Sequence, residues 1–289
     1  MRTVLVLASA AALAAGCGGS PQGGPLRVVA STNVWGDVAA QIGGTDVAVT
    51  SILSDPNADP HLFEAGTRNG LAVAQAAVVV ENGAGYDAFM DRLLSSTASK
   101  ARVVDVAGAL GQEGTGANPH FWYDVPELPR IAAAIAAGLR AADPAHAAGY
   151  RARLARFVAS LGPLRREVAR IHARFARTPV AYTEPVPGYL VAAAGLENVA
   201  PAQFTRALQD GSEPPPDAVA AMQTLLARGM VRALLYNSQA VSPITVRLRD
   251  QARANGIPVV GVTETLPRGL RFQQWQLRQA RALEAALSR

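Results

Sequence analysis

The chain has 289 residues and a formal net charge of +5, a length that suits one large or two medium domains. Its single cysteine, Cys17, excludes a disulfide bond within the chain. Almost all of the basic charge is arginine in predicted helices without interleaved aromatic residues, which argues against nucleic-acid binding. The arginine pattern favours a solvated helix surface, of a kind suited to lie near anionic lipid.

The first 25 residues have the pattern of an export signal and a tether. A short basic start precedes an apolar stretch over residues 4–15, which is too short for a permanent membrane helix and predicts a signal peptide over residues 1–16. The segment Leu13-Ala14-Ala15-Gly16-Cys17 resembles a bacterial lipobox, with its leucine four residues before the cysteine instead of three. This resemblance implies a lipid on Cys17 and a flexible tether over residues 17–25. We expect an extracytoplasmic protein that is lipid-anchored to the cell membrane, in the cell envelope or periplasm.

Residues 26–142 alternate short β-branched runs with amphipathic segments. The predicted strands are Val28–Ser31, Val47–Ile52, Ala77–Glu81 and Arg102–Val104, and the predicted helices are Val34–Ile42, Thr67–Gln75, Tyr86–Leu94 and a segment from Val125 to about Ala141. Strands that alternate with helices indicate a parallel sheet covered by helices. These residues are therefore predicted to form an N-terminal α/β lobe.

Residues 143–177 form one amphipathic stretch without a strand signal, which predicts a linker helix with a kink at Gly162-Pro163. The alternation resumes over residues 178–289. The predicted strands there are Pro179–Thr183, Val231–Tyr236 and Pro258–Val262, and the predicted helices are Gly188–Ala194, Pro216–Ala227, Pro243–Asn255 and Arg271–Leu287. The predicted fold is α/β with two lobes, each a parallel sheet covered by helices, joined by one long linker helix.

Two of the four histidines directly follow a proline. They stand in Asp59-Pro60-His61 and in Asn118-Pro119-His120. Proline restricts the backbone on both sides, so each motif holds an imidazole in a defined direction, and histidine is the commonest metal ligand. The matching contexts indicate a metal site. His146 and His172 lie in the arginine-rich helical stretch and are interpreted as solvated.

Two carboxylates follow predicted strands of the second lobe, Glu184 after the first and Glu264 after the last. Ligands of open parallel sheets bind beyond the carboxyl ends of the strands. The loops that carry His61 and His120 also follow predicted strands, so all four side chains fall on the same kind of edge. A site in a cleft between the lobes would bring them together.

Several motifs, in order, resemble the solute-binding lipoproteins of bacterial zinc and manganese ABC importers. They are Val28-Val29-Ala30-Ser31-Thr32-Asn33, Asp59-Pro60-His61-Leu62-Phe63-Glu64, Val80-Glu81-Asn82-Gly83-Ala84-Gly85-Tyr86-Asp87, Asn118-Pro119-His120-Phe121-Trp122, Glu184 with Gly188-Tyr189, and Val262-Thr263-Glu264. The resemblance covers nearly the whole mature chain, from Leu26 to about Leu266. It implies two α/β lobes joined by a rigid helix, and little closure of the lobes on binding.

This resemblance implies the metal ligands His61, His120, Glu184 and Glu264. The family usually has an aspartate where Glu264 stands, and many relatives have a glutamate at Asn237, to which no ligand role is assigned. Glutamate at position 184 is typical of manganese-type members. The segment from Gly108 to Ala117 lacks the histidines of the mobile loop in many zinc-type members. Glu64 and Asp124 are candidates to orient the imidazoles or, equally, acids at helix starts.

The function implied is capture of Mn²⁺ or Zn²⁺ and delivery to an ABC transporter permease, by a monomer without enzymatic activity. Oxygen ligands suit manganese, whereas affinity in the divalent series rises toward zinc, so the metal stays open. One alternative is a metal-dependent hydrolase, but no additional general base is evident, and four ligands leave no open metal position. A second alternative is an adhesin or structural lipoprotein.

Overall fold

The fold is given by a computed structural model that describes residues 24–55, 63–114 and 116–289. The predicted ligand His61 and the predicted lipid-carrying Cys17 lie outside these residues. Within the described ranges, no helix combines the length and the apolar character needed to cross a membrane.

The first sheet has four parallel strands in the order β2-β1-β3-β4. The strands are β1 (Leu26–Thr32), β2 (Val47–Leu53), β3 (Val78–Glu81) and β4 (Arg102–Asp105), and the helices of this half are α1 (Asn33–Gly43), α2 (Thr67–Ala74), α3 (Ala88–Ser96), α4 (Val106–Leu110) and α5 (Leu128–Ala142). Residues 28–32 of β1 are buried without alternation, which is typical of a parallel strand covered on both faces. The short helix α4 was not predicted.

The linker is a bent pair of helices. A 3₁₀ turn over Pro144–His146 leads into α6 (Ala147–Ser160), and α7 (Gly162–Phe175) follows after Leu161. Pro163 lies in the first turn of α7, where a missing N–H costs no hydrogen bond, so the chain bends without losing the second helix. The predicted kink is confirmed.

The second sheet has the order β6-β5-β7-β8, again parallel. Its strands are β5 (Pro179–Tyr182), β6 (Glu197–Asn198), β7 (Leu234–Asn237) and β8 (Val259–Val262), and its helices are α8 (Gly188–Ala193), α9 (Ala202–Gln209), α10 (Pro216–Ala227), α11 (Pro243–Ala254) and α12 (Phe272–Leu287). The predicted fold class is confirmed. Strand β6 and helix α9 were missed, since two residues and two helical turns give little periodic signal.

One buried apolar cluster runs through both lobes and the linker. Helix α12 of the second lobe packs against α7 and reaches α1 of the first lobe. The Phe272 ring lies 6.5 Å from the Trp35 ring and 6.2 Å from the Phe157 ring, and the backbone N–H of Phe272 donates to Asp37 at 2.9 Å. This continuous packing fixes the two sheets so that their carboxyl ends border one cleft.

Candidate metal centre

Three predicted ligands lie buried at the carboxyl ends of the two sheets. Glu184 follows β5 and Glu264 follows β8, while His120 precedes a 3₁₀ turn over Phe121–Tyr123. The exposed fractions are 0% for His120, 3% for Glu184 and 0% for Glu264. Asn237, the last residue of β7, is equally buried at 1%. These polar side chains therefore lie together at the carboxyl edges of the sheets, as predicted.

Asn237 connects the two carboxylates. Its Nδ2 atom donates to Oε1 of Glu264 at 2.8 Å and also to Oε2 of Glu184. The other oxygen of Glu264, Oε2, lies 3.3 Å from Nε2 of His120. One amide, one imidazole and two carboxylates thus form a single contact cluster. The amide was missed as a site residue in the sequence, although its position at the end of a buried strand was a usable signal.

The imidazole of His120 is oriented by Asn118. Oδ1 of Asn118 lies 2.6 Å from Nδ1 of His120, and Nδ2 of Asn118 donates to the carbonyl of Pro185 at 2.8 Å. Because the carbonyl contact requires the NH₂ group, Oδ1 faces the ring, and Nδ1 must carry the proton it donates. In the neutral ring this leaves the lone pair of Nε2 toward Glu264, which is the arrangement that a metal ligand needs.

The Asn118 loop is tied to the second lobe at several points. The Tyr189 hydroxyl donates to the carbonyl of Asn118 at 2.8 Å, and burial raises the pKa of Tyr189 to about 12, so the hydroxyl keeps its proton. A Cβ atom on Gly188 would lie 2.8 Å from Nδ2 of Asn118, which is too close for the amide to keep this position, so a glycine is needed here. The motif Gly188-Tyr189 therefore supports the orientation of His120 from the opposite lobe.

The Pro119-His120 segment is also held from within the first lobe. Asn82 donates from Nδ2 to the carbonyl of Pro119 at 2.9 Å and accepts from the Trp35 indole N–H at 3.1 Å. The carboxylate of Asp87 accepts from the backbone N–H groups of Asn82 and Gly83. The motif from Glu81 to Asp87 is thus a strand-to-helix turn that positions the histidine loop.

Glu264 is fixed by hydrogen bonds on its side chain and its backbone. The Tyr86 hydroxyl, from the first lobe, donates to Oε2 of Glu264 at 3.1 Å. The side-chain oxygen of Gln239 accepts from the backbone N–H groups of Glu264 and Thr265. Two residues farther on, the backbone of Leu266 exchanges two hydrogen bonds with the Asn33 side chain, at 2.8 and 2.9 Å. Both lobes therefore hold this carboxylate in place.

Burying two carboxylates beside one another is costly unless positive charge compensates them. A divalent cation supplies that charge and accepts imidazole nitrogen and carboxylate oxygen together. The described residues contain no group of three or more His, Cys, Asp and Glu side chains arranged to hold a metal ion by themselves. The fourth predicted ligand, His61, lies outside those residues.

An open cavity of about 650 Å³ is lined by residues that adjoin and support this cluster. Its walls include residues next to the cluster in sequence, Asn118, Pro119 and Pro185, and it extends along one side of α9. The four cluster side chains are not among its lining residues, so the cavity lies beside the cluster and does not contain it.

The other candidate residues lie elsewhere. Glu64 is exposed, and Asp124 lies before α5. His146 is exposed on the 3₁₀ turn beside Asp143, with 2.6 Å between Nδ1 and Oδ2, and His172 is exposed on α7. The interpretation of His146 and His172 as solvated helix-region residues is confirmed. The orienting contact to His120 comes from Asn118.

Fold and site together define a two-lobe α/β protein with a buried imidazole and carboxylate cluster where its lobes meet. The chain matches the model of the family ZnuA, zinc-uptake complex component A periplasmic, over residues 28–286. It belongs to this family, a family of solute-binding receptors, and the resemblance drawn from the motifs is confirmed.

The chain is 32% identical to the manganese-binding lipoprotein MntA of Halalkalibacterium halodurans over 163 residues, which cover 53% of this chain and 54% of that protein. It is 31% identical to MntA of Bacillus subtilis over 147 residues, 47% of this chain and 48% of that protein. The chain thus spans about half the length of these curated relatives. The periplasmic zinc-binding protein TroA of Treponema pallidum superposes with a TM-score of 0.78 at 22% identity, covering 92% of this chain and 100% of that one. This likeness shows the fold.

Proposed function

We propose that the protein is an extracytoplasmic receptor that binds a divalent transition metal between its lobes and delivers it to an ABC importer. The observation that carries the proposal is the contact cluster of His120, Glu184 and Glu264 around Asn237. Family membership supports it, because relatives are named for manganese and zinc binding. The metal is cargo and not a cofactor.

In this proposal the ligands are His61, His120, Glu184 and Glu264. Asn118 keeps Nε2 of His120 available as a lone-pair donor, and Asn237 holds the two carboxylates apart when the site is empty. The two carboxylates make the donor set oxygen-rich, which suits Mn²⁺, while zinc competes through its higher general affinity for such sites. These four ligands would occupy all four positions of a tetrahedral metal ion. No position would remain for a water molecule that the metal could activate, which argues against a hydrolase.

The remaining parts of the proposal concern location and partners. A lipid on Cys17 would anchor the mature chain, 17–289, to the cell membrane, with residues 17–25 as a tether. The N-terminal lobe (26–142), the linker helix (143–177) and the C-terminal lobe (178–289) would act as one monomeric receptor that docks on a permease.

Melting of the metal-free protein in Mn²⁺, Zn²⁺, Ca²⁺ and Mg²⁺ tests this function. A ligand that binds only the native state raises Tm with its concentration, so we expect a saturable rise with Mn²⁺ or Zn²⁺. Glu184→Gln keeps the shape and removes a charged ligand, and should abolish most of the rise. Glu197→Gln changes an exposed glutamate in the same lobe and should leave it unchanged. Equal shifts in both variants, or no shift with any transition metal, would contradict the ligand set.

A further inference from the structure

The bent linker carries a concentrated positive charge. Residues 147–177 contain eight arginines and one acidic residue, Glu167, which is 1% exposed. Small exposed alanines occupy the outer side of both helices, at positions 152, 155, 159, 169 and 173. We call the exposed arginines beside these alanines the basic face; they are Arg151, Arg156, Arg165 and Arg166.

Acidic side chains near the linker form ion pairs with arginines outside the basic face. Asp46 pairs with Arg153 at 2.5 Å. Glu284 pairs with Arg170 at 3.1 Å and with Arg174 at 2.7 Å, and Glu167 contacts Arg170 as well. No carboxylate among the described residues is paired with an arginine of the basic face. Their charge is therefore available to an outside partner.

The two ends of the linker that carries the basic face lie away from the metal cluster. Helix α6 begins near Asp46, just before β2, and α7 ends just before β5, so both ends of the linker lie at the amino edges of the sheets. The cluster lies at the carboxyl edges. Strand β1 also starts at an amino edge, at Leu26, nine residues after Cys17. Nine residues span at most about 30 Å, so an anchor on Cys17 would hold this edge close to the membrane.

We propose that the basic face binds the phosphate groups of anionic phospholipids and holds the receptor with its metal cleft turned away from the membrane. Both the lipid affinity and the orientation rest on the arginines, and only the position at the cell membrane rests on the proposed anchoring of the exported protein. Small alanines let a flat lipid surface approach closely, and long arginine side chains reach the phosphates around them. The receptor would collect metal in this position and turn on its tether to dock.

Binding to vesicles tests the lipid affinity without any metal readout. A chain of residues 24–289 contains every described helix and strand and the apolar cluster that joins the two lobes. We expect it to sediment with vesicles of phosphatidylglycerol mixed with phosphatidylcholine, not with phosphatidylcholine alone, and to be released by salt. Replacing the four basic-face arginines by glutamine should weaken binding at least tenfold, in line with the contribution of each arginine near such a surface.

The matched control replaces four exposed arginines elsewhere, Arg68, Arg92, Arg228 and Arg247, by glutamine. It has the same net charge as the basic-face variant, so it should bind within about twofold of the unmodified chain if the face, and not total charge, is responsible. Melting curves of both variants confirm that the fold is intact. Equal losses in both variants, or no sedimentation of the unmodified chain, would overturn the proposal. Tighter salt-sensitive binding to soluble polyglutamate than to the vesicles would overturn it in favour of an acidic protein partner.

Orientation needs a separate measurement. Cys17 is the only cysteine and is absent from residues 24–289, so a single introduced cysteine takes one fluorophore. With nitroxide-bearing lipids in the vesicles, a label at Ala155→Cys on the outer side of α6 should be quenched, while a label at Ala202→Cys beside the cavity should not. Quenching at Ala202→Cys alone would contradict the proposed orientation. Because neither readout uses metal, failure here is separable from failure of the proposed metal receptor.

Discussion

Replacing Asn118 by alanine tests how the empty site is prepared for metal. The substitution removes the 2.6 Å contact with Nδ1 of His120 and the 2.8 Å hydrogen bond to the carbonyl of Pro185. Each such bond contributes about 1 kcal/mol, so the free energy of unfolding should fall by about 1–3 kcal/mol. Residues that orient a metal-binding histidine typically contribute about 10–100-fold to affinity, and a loss in that range is expected for Mn²⁺ and Zn²⁺ alike.

Competition titration against a chromophoric chelator measures the affinities, and urea unfolding of the metal-free protein measures stability. Asn118→Asp separates the two effects, because a carboxylate still accepts from Nδ1 but cannot donate to Pro185. It should retain more metal affinity than Asn118→Ala at a similar loss of stability. Asn255→Ala, which removes an exposed amide just after the end of α11, is the control for a general effect of amide loss. Metal binding by Asn118→Ala within twofold of the unmodified protein would refute the orienting role.

Three further changes probe the site and its support. Asn237→Asp places a third carboxylate against Glu184 and Glu264, so the free energy of unfolding of the metal-free protein should fall by about 3 kcal/mol or more. Its Tm should then rise further on metal addition than that of the unmodified protein. An unchanged metal-induced rise in thermal melts would refute this. Gly188→Ala puts a Cβ 2.8 Å from the Asn118 amide and should weaken metal binding in the same titration, whereas Gly261→Ala, with open space around it, should not; equal affinities would count against the close approach. Burial, with the charges of Asp87 and two other acids, raises the pKa of Glu81 to about 7 from its ordinary value of 4.5. The folded state therefore holds this proton more tightly than the unfolded state, and its stabilising contribution is lost as pH rises through about 7. Urea unfolding from about pH 5 to about pH 8 should show a decline that is about 1–2 kcal/mol smaller in Glu81→Gln, after allowance for solvent screening, and equal declines would contradict it.

The packing of α12 explains how the site is shared between lobes. Phe272 joins rings of the first lobe and of the linker in one apolar cluster. Hydrogen bonds from Tyr86 to Glu264 and from Asn118 to Pro185 then cross between the lobes beside the cluster. Contacts of this kind oppose movement of one lobe against the other, and limited closure on binding stays the expectation from the family resemblance.

Local patterns in the chain were enough to obtain the alternating strands and helices, the kinked linker and the edge on which Glu184 and Glu264 lie. Those features depend on periodicity, on proline and on the polarity of parallel sheets, all of which act over a few residues or follow from chain direction. The order of strands within each sheet, the short elements β6 and α9, and the ties between lobes required the tertiary structure. Asn237 shows why. Its neighbours in space, Glu184 and Glu264, lie 53 and 27 residues away in sequence. The position of Asn237 at the end of a buried strand is a local signal for a site residue, but nothing local shows which side chains it joins. The pairing exists only because β5, β7 and β8 lie side by side and carry their ends to one buried edge.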